Sequence, residues 1–296
     1  LWHLDASSPG FSHLGQSWSQ PKIGFSALNI ENGTPKPVLF FAGGYDTTKD
    51  NLTVGADDTL GRAVYMVDAE TGVLKWSLSP DATSATNTQF TEITDSVPSS
   101  LAILDSDSDG LTDRLYFGDT GGNFWRVDMP GNAPFSGTSP WTAFKLAELG
   151  GTTHATDRRF FSEPSIARTY ISDTIETTSV DANGTSSTVV TKQERPYEAI
   201  LIGSGDRSTP AANDTDDKFF MIKDANIVTT SFVASPTHPQ LAIPAAILAT
   251  DLYDYTNNPF GQALTAENLQ TLEINVGNKK GWFMDFVGDG EKNTAS

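Results

Sequence analysis

One group of strand signals recurs three times along the chain. This repeat limits the folds that the chain can adopt more than any other feature of the sequence does. Each copy opens with Ser-x-Pro, continues with an apolar strand that runs into glycine, and adds an aromatic strand that ends at aspartate. The three openings are residues 19–21, 96–98 and 162–164. The apolar strands end at Gly43, Gly118 and Gly203, and the aromatic strands at Asp68, Asp128 and Asp224. The repeat predicts an all-β chain.

The first copy also shows a fourth strand. Residues 68–76 form a hairpin signal in which Thr71 and Gly72 make the turn and Trp76 supplies a large apolar face. Four antiparallel strands in succession are typical of a propeller blade. The long spacing between copies predicts loops inserted at 46–60, 79–95, 130–140 and 172–194, the last with a hairpin tip at 181–184.

Residues 237–273 depart from the repeat, and we expect one or two short helices there, in 243–255 and 265–272. Residues 272–276 and 281–286 then read as a hairpin that begins another blade, and residues 1–4 resemble the fourth strand of a preceding one. We therefore expect residues 1–296 to form one propeller domain that is a segment of a longer protein.

A loop of nine residues, 105–113, carries four aspartates. Asp105, Asp107, Asp109 and Asp113 offer carboxylates, and Leu111 offers its backbone carbonyl, which is an oxygen set that suits calcium. Such close like charges repel, so an ordered loop requires a cation. An EF-hand is excluded, because its twelfth position would be Tyr116 and strands, not helices, flank the loop. The spacing predicts a strand–loop–strand calcium site.

Composition limits the partners. The formal charge of −18 opposes binding to nucleic acid or to an anionic membrane surface. No apolar run is long enough to insert into a membrane, and the absence of cysteine excludes disulfides and thiolate metal sites. The abundance of Thr, Ser, Asn, Asp and Gly is typical of exported bacterial proteins, so we expect an extracellular location.

The segment 105–129 reads Asp-x-Asp-x-Asp-Gly-x-x-Asp-Arg-x-Tyr-x-Gly-Asp-x-Gly-Gly-Asn-x-Trp-Arg-x-Asp-Met. It resembles the calcium-binding core of the PilY family, the tip adhesins and assembly factors of bacterial type IV pili. Further segments are similar to this family in the same order, at 41–46, 68–72, 203–207, 251–254 and 281–283.

The resemblance implies a modified, quinoprotein-like propeller of four-stranded blades at a pilus tip on the cell surface. It implies minor pilins or other tip components as partners, together with a host or surface ligand. It also implies roles in pilus biogenesis, twitching motility and adhesion. The ligands carried over by position are the same five residues, with Ca²⁺ as the cofactor.

Two other classes of function share some of these features. The hairpin at 68–76 also resembles repeats of quinone-dependent oxidoreductases, but a single such repeat is a packing device. A hydrolase is not indicated either, because His3, His13, His154 and His238 are scattered among loops with no obvious nucleophile partner. We therefore predict no enzymatic activity. A carbohydrate-binding or matrix-binding propeller is the other alternative. Asp46, Asp50, Asp57 and Asp58 have irregular spacing, and we expect a solvated loop there and not a second ion site.

Overall fold

A computed structural model describes residues 1–51, 53–286, 288 and 291–293. Its strands are β1 (Lys22–Glu31), β2 (Thr34–Ala42), β3 (Val64–Asp68), β4 (Leu74–Ser79), β5 (Asn87–Gln89), β6 (Ala102–Leu104), β7 (Arg114–Gly118), β8 (Asn123–Asp128), β9 (Thr142–Glu148), β10 (Ser165–Val180), β11 (Ser186–Gly203), β12 (Lys218–Asp224), β13 (Ile247–Leu248), β14 (Tyr253–Asp254) and β15 (Gly281–Asp285). The α-helix is α1 (Ala266–Gly277). Short 3₁₀ turns cover Thr47–Asn51, His154–Thr156, Pro239–Leu241, Ala249–Asp251 and Pro259–Gly261.

The strands form three five-stranded sheets, in the orders β1-β2-β3-β4-β5, β6-β7-β8-β9-β13 and β10-β11-β12-β15-β14. In each sheet four strands pair antiparallel in chain order, which confirms the three predicted copies. A fifth short strand then pairs parallel to the fourth, and this strand was not predicted. Within the described residues no sheet closes on itself, so the propeller stays a prediction.

The second sheet lies between the other two. Along β7, Leu115 and Phe117 join the cluster that packs on Val38 and Phe40 of the first sheet. Tyr116, on the opposite face, joins the cluster that packs on the third sheet. This alternation confirms the period of two in the sequence.

Three predicted elements were wrong. The predicted strand 272–276 belongs to α1, which begins after the N-cap residue Thr265, whose side chain accepts a hydrogen bond from the Asn268 N–H. β15 is consequently the fourth strand of the third sheet and does not begin another blade. Residues 1–4 form no strand; instead the Trp2 indole donates to the Ala69 carbonyl at 3.2 Å.

Two further regions differ from expectation. Residues 243–255 contain one 3₁₀ turn and the short strands β13 and β14 where helix was expected. Residues 172–194 are mostly strand, because β10 and β11 continue as a long paired ribbon. The predicted turn at its tip, 181–184, is confirmed.

Buried ion pairs join the second and third sheets. Arg126 on β8 contacts Asp128 at 2.6 Å and Asp224 of β12 at 2.6 Å. Arg114 on β7 pairs with Glu198 of β11. All five side chains are at most 2% exposed. We call this set, together with the carbonyls of residues 226–228, the sheet junction.

We expect Arg126→Met to destabilise the protein by about 3–5 kcal/mol, because it leaves two buried carboxylates without their cation. Urea unfolding followed by tryptophan fluorescence measures this change. The matched control is Arg195→Met, since Arg195 is exposed and its guanidinium donates to the side chain of Gln193. Equal losses in the two variants would show that the sheet junction contributes little to stability.

Candidate metal centre

The acidic loop 105–113 connects β6 to β7, two neighbouring antiparallel strands of the second sheet. Leu104 pairs with Arg114 directly across its base. The loop is further anchored by the Thr112 N–H, which donates to the Phe25 carbonyl of the first sheet at 2.8 Å. The predicted strand–loop–strand context is therefore confirmed, and the loop contacts the first sheet at β1.

Three of the predicted ligands converge. Asp105, Asp107 and Asp109 each place one carboxylate oxygen within 4.8 Å of the others, and all three are exposed. Calcium binds oxygen at about 2.3–2.6 Å, so oxygens that share one ion lie up to about 5 Å apart. The observed spacing fits a single ion held by all three carboxylates.

The backbone of the loop holds these carboxylates in place. The Asp109 N–H donates to Asp105 at 3.1 Å and to Asp107 at 3.2 Å, and the Gly110 N–H donates to Asp105 at 2.9 Å. Gly110 has φ +89° with no atom near the position of a Cβ, so glycine is required there for its conformation and not for space. The loop therefore turns sharply at Gly110.

Asp113 has a different environment. It accepts hydrogen bonds from the Ser106 N–H at 3.1 Å and from the Ser106 hydroxyl at 2.6 Å, and it lies outside the convergent group. Burial raises the pKa of Asp113, and the bonds from Ser106 only partly offset this effect. Together with Leu111, Asp107 and Asp109 it lines one cavity of about 220 Å³.

The donor chemistry of these residues fits calcium. The convergent group offers only carboxylate oxygens, the hard ligands that calcium prefers over nitrogen or sulfur. Asp105, Asp107 and Asp109 would hold the ion directly. Leu111 and Asp113 line a cavity together with Asp107 and Asp109, and their role as ligands stays a prediction.

Sequence reasoning missed the residues that support the loop from β10 and from the segment after β12. The Ser106 and Thr229 hydroxyls lie 2.9 Å apart, and Arg168 donates to the Ser106 carbonyl at 3.1 Å. Thr229 is 123 residues from Ser106 in the chain. No local pattern marks so distant a contact.

The second acidic region, 46–60, is only partly the solvated loop that we expected, because Asp50 and Asp57 are exposed whereas Asp46 and Asp58 are buried. Asp46 and Asp58 are at most 2% exposed. Asp46 accepts hydrogen bonds from residues 48, 59 and 60, and although burial opposes them, these bonds lower the pKa of Asp46. Lys49 pairs with Asp95 at 2.6 Å and lies 3.5 Å from Asp58. These carboxylates organise a buried turn.

The fold and site define a mainly β protein of three repeated mixed sheets with an acidic hairpin loop in the second. No family model matches the chain. Over 142 residues it is 28% identical to the type IV pilus biogenesis factor PilY1 homolog of Xylella fastidiosa, a match that covers 45% of this chain and 9% of that protein.

Among solved structures, the chain is similar to the crystal structure of the Pseudomonas aeruginosa PilY1 C-terminal domain, with a TM-score of 0.54 and 16% sequence identity. That match covers 99% of this chain and 55% of the domain, so the chain spans about half of its length. The resemblance to the PilY family, and to its C-terminal domain, is therefore confirmed.

We expect the Asp113 carboxyl to titrate above 3.8 in calcium-free protein, because burial disfavours its charged form. The folded pKa then exceeds the unfolded one, so the contribution of this group to stability falls as the pH rises from about 4 through the raised value. Carbonyl ¹³C NMR titration measures the midpoint. Ser106→Ala should raise the pKa of Asp113 further, because it removes the hydroxyl that donates to this carboxylate. A midpoint at or below 3.8 in the wild-type protein would contradict the expected effect of burial on Asp113.

Proposed function

We propose that this chain is a calcium-binding, non-enzymatic propeller module of a protein at the type IV pilus tip, with roles in pilus biogenesis, twitching motility and adhesion. The convergence of Asp105, Asp107 and Asp109 carries the proposal. The similarity to a pilus biogenesis factor supports the cellular context. The partners would be minor pilins or other tip components, and the location would be the cell surface.

The packing of the three sheets supports the propeller. Consecutive sheets lie face to face through two apolar clusters, one between the first and second sheets and one between the second and third. Each sheet repeats the same strand order. Such a series of sheets, each packed on the next, is what consecutive blades produce.

Among the described residues, no helix is long and apolar enough to cross a bilayer.

The environment of Trp76 supports a non-enzymatic role. Its ring is fully buried and lies edge-on to Trp141, with ring centroids 5.2 Å apart. Its indole N–H donates to the Thr88 hydroxyl at 2.9 Å. The hairpin that resembles quinone-dependent oxidoreductases thus serves to pack the first sheet against the second.

Calcium would supply positive charge that offsets the mutual repulsion of the loop carboxylates. This chain's own contribution is to hold Asp105, Asp107 and Asp109 close together before the ion arrives, through the backbone N–H groups of residues 109, 110 and 111. Preorganisation of this kind lowers the ordering cost of binding.

Isothermal titration of purified protein should give close to one calcium site per chain. Free calcium at about 100 times the dissociation constant should stabilise the fold by about 2.7 kcal/mol, seen as a rise in melting temperature. Asp109→Ala should abolish the heat while leaving the circular dichroism spectrum unchanged, because stability comes mainly from the buried sheet faces. Magnesium should compete poorly, since it demands tighter octahedral geometry.

The matched control is Asp57→Ala, which removes an exposed carboxylate from the other acidic region and should bind calcium normally. Normal calcium affinity in Asp109→Ala would refute the ligand assignment. In the full-length protein, Asp109→Ala should reproduce the twitching behaviour of calcium-depleted wild type. Unaltered motility in this variant would show that the calcium site has only a structural role.

A second candidate function is the binding of a surface ligand. A cleft of about 470 Å³ lies between α1 and the third sheet, within the roughly 300–1,000 Å³ of small-molecule sites. Aromatic residues line it, and Lys192 and Glu273, 3.6 Å apart, lie at its edge. The aromatic residues are Tyr197, Tyr255, Phe260 and Trp282. This cleft favours a carbohydrate-binding or matrix-binding role alongside the calcium loop.

A further inference from the structure

The acidic loop is connected to the third sheet by a continuous series of hydrogen bonds. Asp113 accepts from the Ser106 hydroxyl at 2.6 Å, and that hydroxyl lies 2.9 Å from the Thr229 hydroxyl. Thr229 in turn accepts from Arg114 Nε at 2.7 Å. Arg114 is the buried cation that pairs with Glu198 in the sheet junction. Thr229 therefore lies between the loop and the junction.

Arg168 of β10 makes a second connection between the same two places. One of its terminal nitrogens donates to the Ser106 carbonyl at 3.1 Å, and the other donates to Glu198 at 2.8 Å. The second nitrogen also lies 3.2 Å from the Ile227 carbonyl. Both connections meet the loop at Ser106, the residue between the first two predicted ligands.

The two ends of these connections differ in how freely they move. Arg114 and Glu198 are completely buried and charged, so few other arrangements satisfy both. Asp105, Asp107 and Asp109 are exposed and repel one another. A rigid support at Ser106 therefore limits how far the loop spreads without a cation, and a loop that is already compact binds with a smaller ordering cost.

We propose that Thr229, assisted by Arg168, is a positioning residue for the calcium loop, so that calcium affinity depends on the sheet junction. Binding free energies are reciprocal, so calcium bound at the loop stabilises the contact between the second and third sheets in return. This inference rests on the calcium site of the proposed function and adds how that site is connected to the rest of the molecule.

The test compares three variants by isothermal titration with calcium chloride. Thr229→Val keeps the shape of the side chain and removes its hydroxyl, and it should weaken calcium binding about fivefold, the effect of losing the neutral hydrogen bond to Ser106 that supports the loop. Thr229→Ser restores the hydroxyl and should restore the affinity. Thr230→Val is the matched control, because Thr230 contacts Asp128 through its backbone N–H.

The outcomes separate this inference from the proposed function. If wild type gives no calcium heat, both are overturned. If wild type binds and Thr229→Val binds equally well, only the positioning role is overturned. An equal loss of affinity in Thr230→Val would also overturn it, since the effect would then not belong to the Thr229 hydroxyl.

A second variant covers the case in which Thr229→Val fails to fold. Arg168→Gln removes the guanidinium that spans Ser106 and Glu198 while leaving the exposed end of the side chain polar. It should also weaken calcium binding severalfold and reduce the rise in melting temperature that calcium produces. Wild-type affinity together with a wild-type melting shift would contradict the proposal.

Discussion

Two buried arginines between the second and third sheets constrain the rest of this molecule. Removing a guanidinium from water costs several kcal/mol even after relaxation, and only well-placed partners repay that cost. Arg126 is satisfied by Asp128 on its own strand and by Asp224 across the junction. The sheets therefore pack in a register that brings these carboxylates to the arginines. This packing also positions segment 226–230, because its backbone carbonyls and the Thr229 hydroxyl complete the same hydrogen-bond network.

The acidic loop depends on that register. β7 carries Arg114 at the end of the loop and sends alternate side chains to the first and third sheets, so the loop emerges where both neighbours reach it. The first sheet contributes the Phe25 carbonyl, the third contributes Arg168, and the segment that follows β12 contributes Thr229. A site that looks local in sequence is thus supported by three sheets.

Some of this was predictable from sequence because the relevant signals are short-range. The alternation along β7 and the spacing of the aspartates depend only on neighbouring residues. The alternation gave the correct strand, and the structure brings three of the four predicted carboxylates together. The prediction of a strand at residues 272–276 was wrong because Ile274 and Val276 favour strand locally, whereas Thr265 caps a helix that continues through them. The parallel fifth strands and the position of Thr229 depend on tertiary packing, which no local pattern encodes.

The loop also shows why spacing alone does not fix a ligand set. Asp113 falls in register with the other aspartates in sequence, yet it is half-buried against Ser106, while the first three aspartates converge in solvent. Its role as a ligand stays a prediction, and its observed contacts place it at the start of the connection to the third sheet.

The most direct test of this account is hydrogen–deuterium exchange of the wild-type protein with and without calcium, followed by mass spectrometry. The account predicts that calcium slows exchange in the loop 105–113 and also in segment 226–230, which is hydrogen-bonded to the loop through the Thr229 side chain and lies more than 100 residues away in the chain. Slower exchange confined to the loop, with segment 226–230 unchanged, would contradict the claim that the calcium site and the sheet junction form one unit.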